Sequence, residues 1–336
     1  DRDKASHRAA DSLMRRLSVT VDTLPLAAPF VIAGATYLTT EVLVAEIEEA
    51  GVVGRGEACP VEYKGETLFS MQEAIERVRP ALEAGAGRDG LQSLLGACGA
   101  RNALDCALWE LEAKRAGATV ASLAALENAG FQTVTTVSLG APDDMAAAAR
   151  ALDRFEGLKL KLSNAHPVDC VAAVRKERPD ARLVVDVNGG WSRGELQLYA
   201  PELARLGVEL IEQPLPVDVP FEAADSPIPI CADEACGGLA DLAELAAGYS
   251  AVCVKLDKTG GLTEAIAVVQ AARARGLRIM VSNMLGTSLA MAPASLLAGF
   301  ADWVDLDGPL LLRQDRIPGI RFTGDRAAPY PPGVWA

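Results

Sequence analysis

Two lysines and a set of carboxylates have the types and spacing to do chemistry in this chain. Lys159 and Lys161 lie in GLKLKLS, residues 157–163. Read as a strand, the segment turns its leucines to one face and both lysines to the other. Leucine-rich strands belong in a core, and lysines do not. Further on, Asp186 closes the apolar run VVDVN, Glu212 closes LIEQP and Asp233 closes CADE. Lys255 follows in VCVKLDK, and Asp305 and Asp307 lie in VDLDG. A single aspartate at a strand end usually caps a helix or forms a turn. A lysine pair alone marks a solvated edge strand. Here three successive strands each end in one carboxylate, and strands carrying lysine flank them. Neighbouring strands lie roughly 4.8 Å apart, so the carboxylates converge and repel unless a cation binds them. An all-oxygen set favours Mg2+, with Mn2+ as the alternative, over zinc. Only two histidines, His7 and His166, are present. Acid–base work therefore falls mostly to carboxylates and lysines.

These residues need a scaffold that points strand ends at one place. Eight apolar segments between residues 133 and 310 read as strands, and most of the intervening segments read as helices. This alternation fits an α/β fold, a (β/α)8-type TIM barrel with its site at the carboxyl ends of the strands. A doubly wound open sheet is the other reading, but no GxGxxG follows any strand. Before the barrel, three strand patterns between Arg16 and Ala58 and two helical patterns, 68–84 and 100–116, predict an N-terminal α+β capping domain. The expected organisation is a tail over 1–13, native or added, the cap over 14–128, the barrel over 129–310, and a segment over 311–336 that packs back on the cap. Half the residues are apolar, and the net charge is 32 − 45 = −13. With no basic stripe, nucleic acid and anionic membranes are excluded as partners. Seven cysteines without a CxxC pair read as reduced thiols of a cytoplasmic protein. The choice between monomer and homo-oligomer stays open.

KLK, DVN, EQP, ADE and KLDKTGGLTEA, in this order, resemble the enolase superfamily in its muconate-lactonizing branch. Within that branch the chain resembles the dipeptide epimerases, whose last barrel strand carries the DxD seen here as DLDGPLLL. The resemblance implies that Asp186, Glu212 and Asp233 bind Mg2+ and that Lys161 and Lys255 are the acid–base pair. Lys159 would contact the substrate carboxylate, and Asp305 and Asp307 would hold the free ammonium of a small-molecule dipeptide. The reaction implied is proton removal alpha to a carboxylate and its return on the opposite face. Lysine acts as a base only when neutral, and its usual pKa is about 10.4. A second ammonium two residues away is expected to lower it. An o-succinylbenzoate synthase, an N-acylamino-acid racemase or a muconate cycloisomerase of the same fold is the alternative.

Two loops of the cap, about Phe30–Thr39 and Cys59–Glu66, are expected to read the substrate's side chain. Epimerases acting on Ala-Glu resemble FVIAR in the first loop, where this chain has FVIAGATY and no arginine. Tyr37, Tyr63, Met284 and Leu289 then suggest a more apolar pocket. The expected outcome is that kcat/KM for Ala-Leu or Ala-Phe exceeds that for Ala-Glu by about tenfold or more, because an unpaired buried polar group costs roughly 1–3 kcal/mol. A steady-state comparison of the three dipeptides checks this, and a clear preference for Ala-Glu refutes it.

Overall fold

The computed structural model describes residues 15–336. The expected tail over 1–13, with His7, and Met14 lie outside the described residues. Three long strands open the chain: β1 (Arg16–Ile32), β2 (Ala35–Glu49) and β3 (Val52–Ala58) form an antiparallel sheet in that order. Against it pack α1 (Leu68–Glu83) and α3 (Gly99–Ala116), and α2 (Arg88–Leu94) and α4 (Val120–Leu123) pack on α3. The two short helices, α2 and α4, carry no readable sequence period. The α3 helix lies so close to β3 that a Cβ on Gly54 or Gly56 would meet the α3 backbone at 2.1 or 2.0 Å. A separate apolar core, including Leu43, Ile47, Met71, Ile75 and Leu104, holds the sheet and α1–α3 together.

After a two-residue strand, β4 (Phe131–Gln132), come the eight parallel strands: β5 (Thr135–Val137), β6 (Gly157–Lys161), β7 (Arg182–Asp186), β8 (Val208–Glu212), β9 (Ile230–Ala232), β10 (Ala251–Val254), β11 (Arg278–Ser282) and β12 (Trp303–Asp305). The first and last strands meet where the Val134 N–H donates to the Val304 carbonyl at 2.8 Å. The helices outside them are α5 (Pro142–Ala151), α6 (Pro167–Glu177), α7 (Arg193–Arg205), α8 (Leu239–Glu244), α9 (Leu256–Thr259), α10 (Leu262–Ala274), α11 (Ser288–Ser295) and α12 (Gly308–Leu311). As its sequence suggested, PFEAADS gives only a single 3-10 turn, Ala223–Asp225.

The two-residue side-chain period separates two environments. Leu158, Leu160 and Leu162 join the core between strands and helices. The inward positions lower in the barrel, among them Val184, Leu210, Cys231, Cys253, Met280 and Trp303, fill its interior. One residue pair higher, the same inward column becomes charged, and there Lys159 and Lys161 are buried. The lysine face of GLKLKLS is therefore the barrel interior.

Cap and barrel interlock through side chains that bind backbone. Arg101 of α3 donates to the carbonyls of Thr259 (2.7 Å) and Gly260 (3.0 Å) and pairs with Glu264. Asp105 accepts from the Thr263 N–H and Oγ1 at 3.0 and 2.6 Å. Between them run Gly260 and Gly261 of KTGG. Gly261 has φ +116°, and a Cβ there would meet the Asp105 side chain at 2.5 Å. The chain's end also returns to the cap: the Trp335 indole donates to the Arg55 carbonyl, and the Val120 N–H donates to the Ala336 carbonyl. A pair of short strands, β13 (Phe322–Thr323) and β14 (Arg326–Ala327), adds to β4.

Gly276 also has positive φ (+75°), but nothing lies within 4 Å of its would-be Cβ. Gly276→Ala should therefore cost backbone strain alone, about 1–3 kcal/mol. Gly261→Ala should cost more, because it also drives α3 from the barrel. Urea midpoints of the two variants test this, and equal losses would contradict the docking role given to Gly261.

Candidate active site

Charged side chains meet where the strands of the barrel end beneath the cap. Asp186 and Glu212 close adjoining strands in register. Asp233 follows β9, and Lys255 follows β10. All four are buried. Lys161 Nζ lies 2.6 Å from Asp186 Oδ2. Lys159 Nζ lies 2.7 Å from Glu212 Oε2, 2.8 Å from Asp305 Oδ2 and 3.2 Å from Asp186 Oδ2. Asp233 is held on both oxygens, by Lys255 at 2.7 Å and Lys258 at 2.6 Å. Above these groups is a cavity of about 710 Å3. Lys159, Lys161, Lys255, Asp233, Asp305 and Asp307 face it from the barrel, and Phe30, Tyr37, Tyr63 and Met284 face it from the cap and the loop after β11.

Burial alone would lower the lysine pKa values, but the carboxylates outweigh it. Asp305, Glu212 and Asp186 hold Lys159 well above the usual lysine value, and Asp233 does the same for Lys255. At these two lysines the adjoining anions outweigh burial. Burial raises Glu212, with Asp186 adding to the shift, to about 7. Asp186 is lowered to about 2: burial opposes the shift, and Lys161 and Lys159 drive it.

The donor set fits a hard divalent cation. Lys159 approaches Glu212 off the hydrogen-bonding direction, which leaves both buried Glu212 oxygens without a donor. Oxygens of Glu212 and Asp233 and the Cys253 sulfur lie within 4.8 Å of one another. Burial keeps the Cys253 thiol protonated, its pKa well above the usual value, so it is no ligand for an oxygen-preferring ion. Asp186 stands beside Glu212 but is turned to Lys161.

Two expected site residues stand differently from their reading in the sequence. Leu289 does not reach the cavity; it is 4% exposed and packs in the barrel core. Thr287 caps α11 and is itself fixed by Glu57, which sets the helix phase that turns Leu289 inward. Asp307 lies beyond the end of β12, before α12, rather than on the strand. It still faces the cavity with Asp305 and accepts from the Thr136 N–H at 2.7 Å. Burial, with Asp305 adding to it, raises its pKa to about 7. Tyr37 donates to Glu62 at 3.0 Å. No arginine is among the described residues that line the cavity.

Four residues that position the site sat unread inside the motifs. Gln213 of EQP accepts from the N–H groups of Asp233 and Ala235 and donates to Leu215 O and Tyr249 Oη. Lys258 of KLDK adds bonds to the Asp233, Cys236 and Cys253 carbonyls. Asn188 of DVN and Glu234 of ADE join each other beside Lys161. Each was legible as a polar residue one to three positions from a charged strand end.

Residues 14–124 match the N-terminal domain model of mandelate racemase / muconate lactonizing enzyme, and residues 144–308 match the enolase C-terminal domain-like model. The chain belongs to the enolase superfamily. It is 42% identical over 315 residues, 92% of this chain and 98% of the relative, to the L-Ala-D/L-Glu epimerase of Escherichia coli (strain K12). It is 40% identical over 247 residues, 73% of this chain and 78% of the relative, to the N-acetyl-D-glutamate racemase of Pseudoalteromonas sp. Among solved structures it is similar to an enolase family member from Agrobacterium tumefaciens with homology to dipeptide epimerases. That structure holds sodium and L-Ala-L-Glu; the match has a TM-score of 0.93 at 39% identity and covers 96% of this chain and 100% of that one. Like the relatives it matches, the chain is an isomerase of the racemase and epimerase kind, and Mg2+ is its cofactor.

Glu212→Gln should keep the fold and lower Mg2+ affinity by about 100-fold or more, beyond what is lost with an outer-shell partner. Calorimetric titration of Mg2+ and circular dichroism measure the two. Undiminished affinity, or full turnover after EDTA treatment and gel filtration, would remove Glu212 from the metal set.

Proposed function

We propose that the chain is a cytoplasmic, Mg2+-dependent dipeptide epimerase that inverts the alpha carbon of the C-terminal residue. The observation that supports this most is the pair Lys161 and Lys255. They stand at the carboxyl ends of the second and sixth of eight barrel strands, across the ring from each other, and both face one cavity. A carbon held between them has one amine on each side. The free cysteines, Cys59 among them, agree with a reducing compartment.

The chemical task is to remove a proton alpha to a carboxylate, which places two negative charges on the carboxylate oxygens. Asp186, Glu212 and Asp233 would hold Mg2+, which would supply electrostatic stabilisation of that charge. Lys159, fixed by Asp305 and Glu212 at the second strand, directs its ammonium to the same oxygens. Lys161 or Lys255, when neutral, takes the proton from its own side, and the opposite lysine, as ammonium, returns one. Asp305 and Asp307, side by side at the cavity's edge, receive the substrate's N-terminal ammonium. Phe30, Tyr37, Tyr63 and Met284 bound the space left for the side chain. The buried barrel wall excludes water from the carbanion between the two transfers.

A second reading is racemisation of an N-acylamino acid, favoured by the 40% identity to the N-acetyl-D-glutamate racemase. It uses the same lysines and metal, and differs only in what Asp305 and Asp307 meet.

Lys161→Ala and Lys255→Ala should each abolish epimerisation. Each should still exchange the alpha proton of one epimer with D2O, and the two variants should prefer opposite epimers. Proton NMR on L,L and L,D dipeptides separately measures this. Near wild-type epimerisation by either variant would end the two-base mechanism. N-acetylation of the dipeptide should raise KM about tenfold or more, because a hydrogen bond to a charged group is worth roughly 1.5–3 kcal/mol. If acetylated substrates react as well as free ones, the second reading replaces the first.

A further inference from the structure

Lys161 has a polar neighbour that Lys255 lacks. Its Nζ lies 3.3 Å from Asn188 Oδ1, while Asn188 Nδ2 donates to Glu234 Oε1 at 3.2 Å. Among the described contacts Lys255 has only Asp233 as a side-chain partner. Asn188 sits in the left-handed region, at φ +49°, a conformation asparagine tolerates better than most residues. Its N–H donates to Asp186 Oδ1 at 3.1 Å, which fixes the turn that aims the amide. Glu234 is fixed in turn, because Gln213 accepts from the backbone N–H on either side of it, at Asp233 and Ala235. Reversing the amide would turn its NH2 to the N–H donors of Lys161 and its oxygen to Glu234 Oε1, which here accepts from it. Glu234 therefore selects the orientation in which oxygen faces the lysine.

We infer that Asn188 and Glu234 form a positioning pair for Lys161 alone, with Glu234 orienting the amide and the amide oxygen holding the lysine nitrogen on its side of the reacting carbon. An amide oxygen suits this task. It accepts an N–H from lysine as ammonium and as amine, so the contact survives the proton transfer, and the lone pair that takes the proton is left to face the substrate. A carboxylate in the same place would grip the ammonium and release the amine. The inference rests on the assignment of Lys161 and Lys255 to opposite faces.

The test measures alpha-proton exchange in D2O separately for the two epimers, in full-length enzyme with Mg2+. Lys255→Ala first defines the epimer that Lys161 serves, and Lys161→Ala defines the other. Asn188→Gly keeps the positive φ and removes the amide, and Glu234→Ala removes the orienting acceptor. Each should shift the ratio of the two exchange rates against the Lys161 epimer by about tenfold or more, the scale of a lost outer-shell partner. Glu234→Gln, which still offers an oxygen to Asn188, should restore most of the ratio. Calorimetric Mg2+ affinity is measured on the same variants, because Asn188 also touches Asp186. An unchanged ratio, equal loss on both faces, or a loss that follows Mg2+ affinity overturns the inference. If the two lysine variants show no opposite preference, the assignment of faces fails, and the inference fails with it.

Discussion

Charge buried at the mouth of the barrel is the constraint that the rest of the molecule serves. Asp186, Glu212, Asp233 and Asp305 face Lys159, Lys161, Lys255 and Lys258, all buried. A lone ion in such a place is prohibitively costly, and a pair survives only with good geometry and further hydrogen bonds. That is why Lys258, fully enclosed, makes bonds to three carbonyls besides its bond to Asp233. Glu234 and Asp307, the carboxylates beyond this balance, are raised to about 7 by burial, with Asp233 and Asp305 respectively adding to the shift. Four buried lysines thus face four buried carboxylates at the mouth of the barrel.

The cap serves the same constraint by closing the mouth without disturbing it. It uses side chains aimed at backbone. Asp257, two residues beyond Lys255, accepts from the Cys59 N–H and from Asn102. Glu57 accepts from the Thr287 N–H and Oγ1 and from Arg316. These bonds tie the loops after β10 and β11 to strand β3 and helix α3. Phe30 extends from the first cap strand to place its ring 5.9 Å from Lys161 Nζ.

Much of this was legible in the residues. Eight apolar runs interrupted by helical periods predict the barrel because a strand flanked by helices is buried on both faces. The lysine face of GLKLKLS followed from the two-residue period alone. What stayed hidden depends on contacts distant in sequence. Leu289 falls outside the cavity because Glu57, some 230 positions earlier, sets the phase of its helix. The upward shift of Lys159 and Lys255 depends on the anions that the barrel closure brings to them. Asn188 and Glu234 share motifs with Asp186 and Asp233 but meet only across the turns after β7 and β9. The missing arginine of the first loop is a feature of sequence and cavity alike, although the relatives from Escherichia coli and Pseudoalteromonas carry glutamate in their names.

The Leu285 carbonyl accepts from Thr40 Oγ1 and from Cys59 Sγ, each at 2.9 Å. One barrel atom thus anchors the far end of the first cap loop and the near end of the second. The first loop's near end is held where Val31 bonds Ser138 and Leu139, and Glu66 secures the second by accepting from Val61 and Gly99. Between these moorings lie the tip of the β1–β2 hairpin and residues 60–65, which should be exchangeable without altering the frame that carries the lysines. Such an arrangement separates selection for a new substrate from selection for the reaction. It also marks the four splice points at which loops from a relative could be grafted into this one.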